Sequence, residues 1–81
     1  MTDLDAGFIN IKETRYTLKK RIATLATYKD GVTKEITLGL WGNERKLNIR
    51  RWHGPTEIGK GISLSTGEVK DLRRILNEIV L

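Results

Sequence analysis

The stretch that decides the fold is TKEITLGLWGNERKLNIRRW, residues 33–52. In its first half, apolar residues at 36, 38 and 40 alternate with polar or small ones. In its second half, Leu47 and Ile49 alternate with cationic and amide side chains. Period-two alternation predicts strands with one buried face, and the segment Gly42–Glu44 between them predicts a turn. We therefore expect an antiparallel hairpin at the centre of the fold.

Two further strands flank this hairpin. The run YTLKKRIATLAT, residues 16–27, has helical spacing of Leu18, Ile22 and Leu25, but its β-branched residues favour a strand, which we predict. The pair Asp30-Gly31 then predicts a hairpin turn. After residue 60, the segment GISLS predicts a short fourth strand.

The C-terminal segment predicts a helix. Ser65 and Glu68 have capping-box spacing, so the helix should begin at about Thr66. Its apolar residues form a broad stripe that must be buried, either against the apolar face of the sheet or against the same helix of a second subunit. The stripe consists of Val69, Leu72, Ile75, Leu76, Ile79 and Val80.

Composition limits the possible functions. A chain of 81 residues with net charge +5 and pI near 9.8 fits a small single domain with a polyanionic partner. Without cysteine and with one histidine, it offers no disulfide and no thiolate metal site, and no nucleophile–base or paired-carboxylate constellation indicates an enzyme. No signal-peptide or membrane-spanning pattern is present, so we expect a cytoplasmic protein, nucleoid-associated if bacterial, with no membrane partner and no cofactor.

One face of the predicted hairpin carries aromatic and cationic side chains together. Alternation places Thr37, Gly39 and Trp41 beside Lys46, Asn48, Arg50 and Trp52. Exposed tryptophans among cations suit an unpaired nucleic-acid strand, whose bases stack on rings while its phosphates contact Lys or Arg. The alternative is that each tryptophan is half-buried in a small core or a dimer interface.

The segment GPTEIGKG, residues 54–61, is close to a nucleotide-binding phosphate loop. Gly61 stands where that loop needs a hydroxyl, and the following residues alternate as a strand, so we exclude a nucleoside-triphosphate site. The glycines would let the backbone approach a phosphate, with Lys60 supplying charge, or would allow a tight entry to the fourth strand. His53 is interpreted as a polar loop residue.

The run LNIRRWHGPTEIGKGISLSTGEVKDLRRIL resembles the positive-cofactor-four transcriptional coactivators, in particular their bacterial YdbC-like members. The resemblance covers residues 16–81. It implies an α+β fold with a curved four-stranded antiparallel sheet and one C-terminal helix, a homodimer formed through the helices, and binding of single-stranded DNA without catalysis. By position, Trp41 matches the base-stacking turn aromatic, Arg50 the strand arginine and Lys60 the loop lysine. Trp52 and His53 occupy an aromatic pair, in which His53 departs from the eukaryotic pattern.

These observations give one main hypothesis and one rival. We expect residues 16–81 to form a single-stranded DNA-binding domain, with RNA as an alternative ligand, after a flexible segment 1–15. The rival is a dimeric adaptor that grips a protein partner with its tryptophans. The predicted dimer interface is Leu72, Ile75, Leu76 and Ile79. The predicted DNA-binding residues are Thr37, Trp41, Arg45, Lys46, Asn48, Arg50, Trp52 and Lys60.

Overall fold

A computed structural model describes residues 7–81 as an antiparallel sheet followed by one helix, which confirms the predicted α+β class. The strands run in the order β1-β5-β4-β3-β2 across the sheet. Their bounds are β1 Ile9–Asn10, β2 Tyr16–Thr27, β3 Val32–Trp41, β4 Glu44–His53 and β5 Glu57–Leu64, and the helix α1 spans Thr66–Glu78.

The central hairpin forms as its alternation predicts. β3 and β4 pair without a register shift from Val32 opposite His53 to Trp41 opposite Glu44. Gly42 has a φ of 61°, which suits the first central position of a type II′ turn and is easily adopted only by glycine. The turn between β2 and β3 also forms at the predicted place.

The helix begins where the capping box predicts. The Ser65 side chain accepts a hydrogen bond from the Glu68 backbone N–H at 3.2 Å, and the Glu68 carboxylate accepts one from the Ser65 N–H at 2.8 Å. These reciprocal bonds satisfy two donors that a helix start otherwise leaves unpaired. They lower the pKa of Glu68 below its ordinary value, because they favour the ionised carboxylate.

The sheet has five strands, so the expected count of four is wrong. The fifth is β1, where Ile9 and Asn10 pair with Ile58 and Glu57 of β5. The segment expected to be flexible over residues 1–15 therefore contributes a strand and a 3-10 turn, Ile11–Glu13, while residues 1–6 lie outside the described part of the chain.

The glycine-rich segment is strand rather than loop from Glu57 onward. A Cβ at Gly61 would overlap the Ile49 carbonyl oxygen of the neighbouring strand, and a Cβ at Gly59 would overlap the Phe8 ring. Both glycines therefore permit close packing at these points. These contacts support the interpretation that the glycines allow the chain to enter this strand tightly, rather than the interpretation that they let the backbone approach a phosphate.

The core lies on the face of the sheet that was expected to be uncovered. Tyr16, Trp52 and Ile58 form a buried cluster, with Ile11 and Leu18 packed against it. The Tyr16 ring lies across Gly39, since a Cβ at that position would overlap the ring. We call this side the aromatic face.

The opposite face, with Val32, Ile49 and Ile62, is only partly covered; we call it the apolar face. A cleft of about 730 Å³ lies over these residues. The start of α1 lies beside Leu38 and Leu47, at one end of this face. Beyond its first turns the helix leaves its apolar stripe largely exposed, including Ile75, Leu76 and Ile79.

Candidate nucleic-acid interface

The register of the sheet places most of the predicted binding residues on one face. Thr37 pairs with Asn48, Glu35 with Arg50, and Thr33 with Trp52. This confirms that Thr37, Trp41, Lys46, Asn48, Arg50 and Trp52 share the aromatic face. Burial then separates them into side chains that are part of the core and side chains that a ligand can reach.

Asn48 is the centre of a buried polar network. Its Oδ1 accepts hydrogen bonds from Trp41 Nε1 at 2.7 Å and from Ser63 Oγ at 2.6 Å, while its Nδ2 donates to Tyr16 Oη at 3.1 Å. Tyr16 Oη also lies 2.8 Å from Thr37 Oγ1. Thr37 and Asn48 are both fully buried, so neither contacts a ligand directly in this conformation.

Burial raises the pKa of the Tyr16 hydroxyl above its ordinary value of 10.0. Hydrogen bonds from Thr37 and Asn48 oppose this effect but do not cancel it. The hydroxyl is therefore neutral at physiological pH and able to act as both donor and acceptor in the network. The network orients the Trp41 indole, because its only N–H is used by Asn48.

Trp52 is fully buried, so the expectation that its ring is exposed for base stacking is wrong. The Tyr16 ring centroid lies 6.3 Å from that of Trp52, and the Arg21 guanidinium lies 4.3 Å from the indole centroid. Arg21 is held in place by an ion pair with Glu35 and by a hydrogen bond to the Pro55 carbonyl at 2.6 Å. A cation bound in this way covers the ring and is itself neutralised.

Trp41 is half-buried and sits at the end of the hairpin. The Arg50 guanidinium lies 4.9 Å from its ring centroid, within cation–π range. Arg50 donates to two neutral acceptors, the Gly59 carbonyl at 3.2 Å and Ser63 Oγ at 3.1 Å. Burial lowers the pKa of Arg50, but an arginine remains protonated at neutral pH. Its charge therefore has no carboxylate partner among the described residues.

The other predicted cations are not all grouped with Trp41. Lys46 shares its face and lies 3.7 Å from the Glu44 carboxylate. Arg45 pairs in register with Leu40, which places it on the apolar face beside the start of the helix. Lys60 lines the cleft over the apolar face. The expected set of eight is therefore divided between two faces.

Three residues of this region were not predicted. Tyr16 and Arg21 belong to β2, whose register shifts at three places, so simple alternation does not tell which of its side chains reach the aromatic face. The third, Arg15, lies against the turn: its guanidinium occupies the space that a Cβ at Gly42 would need. The proximity of Arg15 to a turn some 27 positions later has no local sequence signal.

Within residues 7–81, no three His, Asp or Glu side chains cluster in a way that could hold a metal ion. Over the same residues, the helix is too short and too polar to cross a bilayer. His53 contacts two acceptors instead, Glu57 Oε1 at 2.7 Å and the Asp30 carbonyl at 3.0 Å. These contacts join the end of β4 to the start of β5 and to the turn between β2 and β3.

Comparison with known sequences relates this chain to a protein of a spirochaete. The chain is 30% identical over 83 residues to a protein of Treponema pallidum (strain Nichols) described as uncharacterized, in an alignment that covers 100% of this chain and 96% of that protein. The chain belongs to the same family as this treponemal protein. No protein-family model matches the sequence.

Proposed function

We propose that this protein binds single-stranded DNA with weak sequence preference, in transcription, replication or repair. The observation that carries the proposal is the pairing of the half-buried Trp41 with Arg50, whose charge is not neutralised by any carboxylate of residues 7–81. A ring of this kind stacks on bases of any identity, and a guanidinium that lacks a carboxylate partner attracts the backbone phosphate. The resemblance to the positive-cofactor-four coactivators supports the same conclusion.

The binding surface in this proposal differs from the set of residues expected from the sequence. Trp41 supplies the stacking ring, and Arg50 and Lys46 supply positive charge beside it. Asn48 and Thr37 act through Trp41 by fixing the network that orients it. Trp52 belongs to the core. Lys60 and Arg45 would contact only a DNA strand that passes around the edge of the sheet to its apolar face.

We further propose that the protein acts as a homodimer in the cytoplasm. Leu72 is half-buried, while Ile75, Leu76 and Ile79 are exposed, and the apolar face of the sheet is also open. Covering these surfaces with a second copy would remove two apolar areas from water at once. Light scattering should give twice the chain mass of 9.2 kDa. A folded monomer at micromolar concentration would exclude the dimer.

Titration of a labelled oligothymidine against a matched duplex tests DNA binding. The single strand should bind more tightly, and its affinity should fall steeply with salt because binding releases counterions. The rival function, an adaptor that grips a protein with its aromatic side chains, predicts no oligonucleotide binding and a partner interaction that is less sensitive to salt.

Two arginine variants locate the binding face. Arg50→Gln should make the plot of log affinity against log salt shallower by about 0.7, which is the contribution of one phosphate contact on a single strand. Arg51→Gln is the matched control, because Arg51 lies over the Tyr28 ring at 4.7 Å on the other face. Equal loss of slope in both variants would show that DNA does not bind the aromatic face.

A further inference from the structure

A second cleft lies at the end of the hairpin, beside the exposed part of Trp41. It has a volume of about 500 Å³ and is lined by Arg15, Trp41, Asn43 and Glu44; we call it the turn cleft. Glu44 is the register partner of Trp41, so both side chains project from the same face. The cleft therefore combines an aromatic ring with polar groups of opposite charge.

The two charged groups of the turn cleft are not paired with each other. The ion pairs within residues 7–81 join Arg21 to Glu35, Lys46 to Glu44 and His53 to Glu57. The Glu44 carboxylate is 76% exposed, and its contact with Lys46 is long, at 3.7 Å. Its oxygens can therefore accept further hydrogen bonds, and the exposed residue Arg15, whose guanidinium lies against Gly42, carries N–H donors for a ligand.

A carboxylate and a guanidinium beside a stacking ring select among the four bases. In a single strand, the Watson–Crick edge of each base is unpaired. Guanine presents two adjacent N–H donors there, N1 and N2, which match a carboxylate. On its Hoogsteen edge it presents two adjacent acceptors, O6 and N7, which match a guanidinium. Thymine presents one N–H between two carbonyl oxygens, which a carboxylate repels. Adenine and cytosine each place a ring acceptor beside their amino donor.

We propose that the turn cleft holds one base of the bound strand and prefers guanine, with Glu44 accepting from the Watson–Crick edge and Arg15 donating to O6 and N7. The inference rests on the proposed function, since it concerns one position of the same strand. It makes Glu44 and Arg15 specificity-determining residues, while Trp41 supplies stacking to any base. Preference at one position is compatible with weak sequence preference over the whole strand.

The test compares oligothymidine with the same strand carrying a single guanine, each titrated against the intact protein. The guanine strand should bind about fivefold more tightly, at the lower end of what a bidentate contact provides, because Glu44 is exposed. Replacing that guanine by hypoxanthine removes the 2-amino donor and should reduce the preference. Replacing it by 7-deazaguanine removes N7 and should reduce the preference in the same way.

Protein variants assign these effects to residues. Glu44→Gln should abolish the guanine preference, and Arg15→Ala should abolish the effect of 7-deazaguanine. Asp71→Asn, an exposed carboxylate on the helix, removes the same charge and should leave the preference intact.

Equal affinity for the two strands would overturn this inference while leaving single-strand binding in place. Guanine preference that persists in Glu44→Gln would also overturn it. Failure to bind either strand would overturn the proposed function together with the inference.

Discussion

Replacing Asn48 by alanine should destabilise the protein strongly, although the residue is polar and lies on a sheet face that was expected to contact solvent. The side chain is 0% exposed and accepts hydrogen bonds from both Trp41 and Ser63. Its amide also donates to Tyr16, which keeps Thr37 as a second partner. Truncation therefore leaves the donors of Trp41 and Ser63 without their acceptor and opens a cavity.

The magnitude follows from these contacts. Each of the two donors left without an acceptor costs about 1 kcal/mol, and the emptied volume adds a similar amount, so we expect roughly 3 kcal/mol in total. For a domain of this size, that loss corresponds to a decrease in Tm of roughly 10 to 25 °C. Thermal and urea unfolding should be followed at one fixed protein concentration, because dimerisation would contribute to the apparent stability.

Asn77→Ala is the matched control for Asn48→Ala. Asn77 is exposed on the helix, so its replacement should change the free energy of unfolding by no more than about 0.5 kcal/mol. A loss below about 1 kcal/mol for Asn48→Ala would show that the network contributes no more than an ordinary surface contact. In that case the orientation of Trp41 would need another explanation.

Three further outcomes are expected. Leu76→Asp should convert the proposed dimer to a monomer in light scattering, whereas Lys70→Asp, on the polar side of the helix, should not; a dimeric Leu76→Asp variant would exclude this interface. Trp41→Ala should weaken single-strand binding by about 1 to 3 kcal/mol with little change in the salt slope, and unchanged affinity would remove Trp41 from the binding surface. Because burial raises the pKa of Tyr16, its contribution to stability is complete below the ordinary value of 10.0 and is lost as pH rises through the higher folded value. The free energy of unfolding, measured across alkaline pH, should therefore fall in the unmodified protein but not in Tyr16→Phe. Identical pH profiles of the two proteins would contradict the raised pKa of Tyr16.

The parts of the fold that were predicted correctly have strong local signals. The β3–β4 hairpin follows from alternation, and the helix start follows from the spacing of Ser65 and Glu68. β1 was missed because two residues are too few to show a period. The first half of β5 was missed because glycines usually indicate a loop, whereas Gly59 and Gly61 here permit close packing.

Which side chains share the aromatic face could be predicted from the sequence, but which of them are buried could not. Alternation correctly placed Trp41, Asn48 and Trp52 on one face, but it contains no information about what covers that face. The cover comes from Tyr16 and from Arg21, and the register shifts of β2 decide which of its side chains reach this side. In a small sheet with few large side chains, the core can form on either face, depending on which face the side chains of the neighbouring strand cover.

The two tryptophan–arginine pairs differ in a way that distinguishes a structural contact from a binding contact. Arg21 over Trp52 is neutralised by Glu35, and the ring beneath it is fully buried, so this pair presents neither free charge nor free aromatic surface. Arg50 over Trp41 is held by neutral acceptors and keeps its charge, while the ring remains half-exposed. A polyanion gains more electrostatic energy from a cation without a close carboxylate partner than from one that is neutralised by a short ion pair. Of the two pairs, the one at Trp41 is therefore the one that favours binding of a nucleic-acid strand.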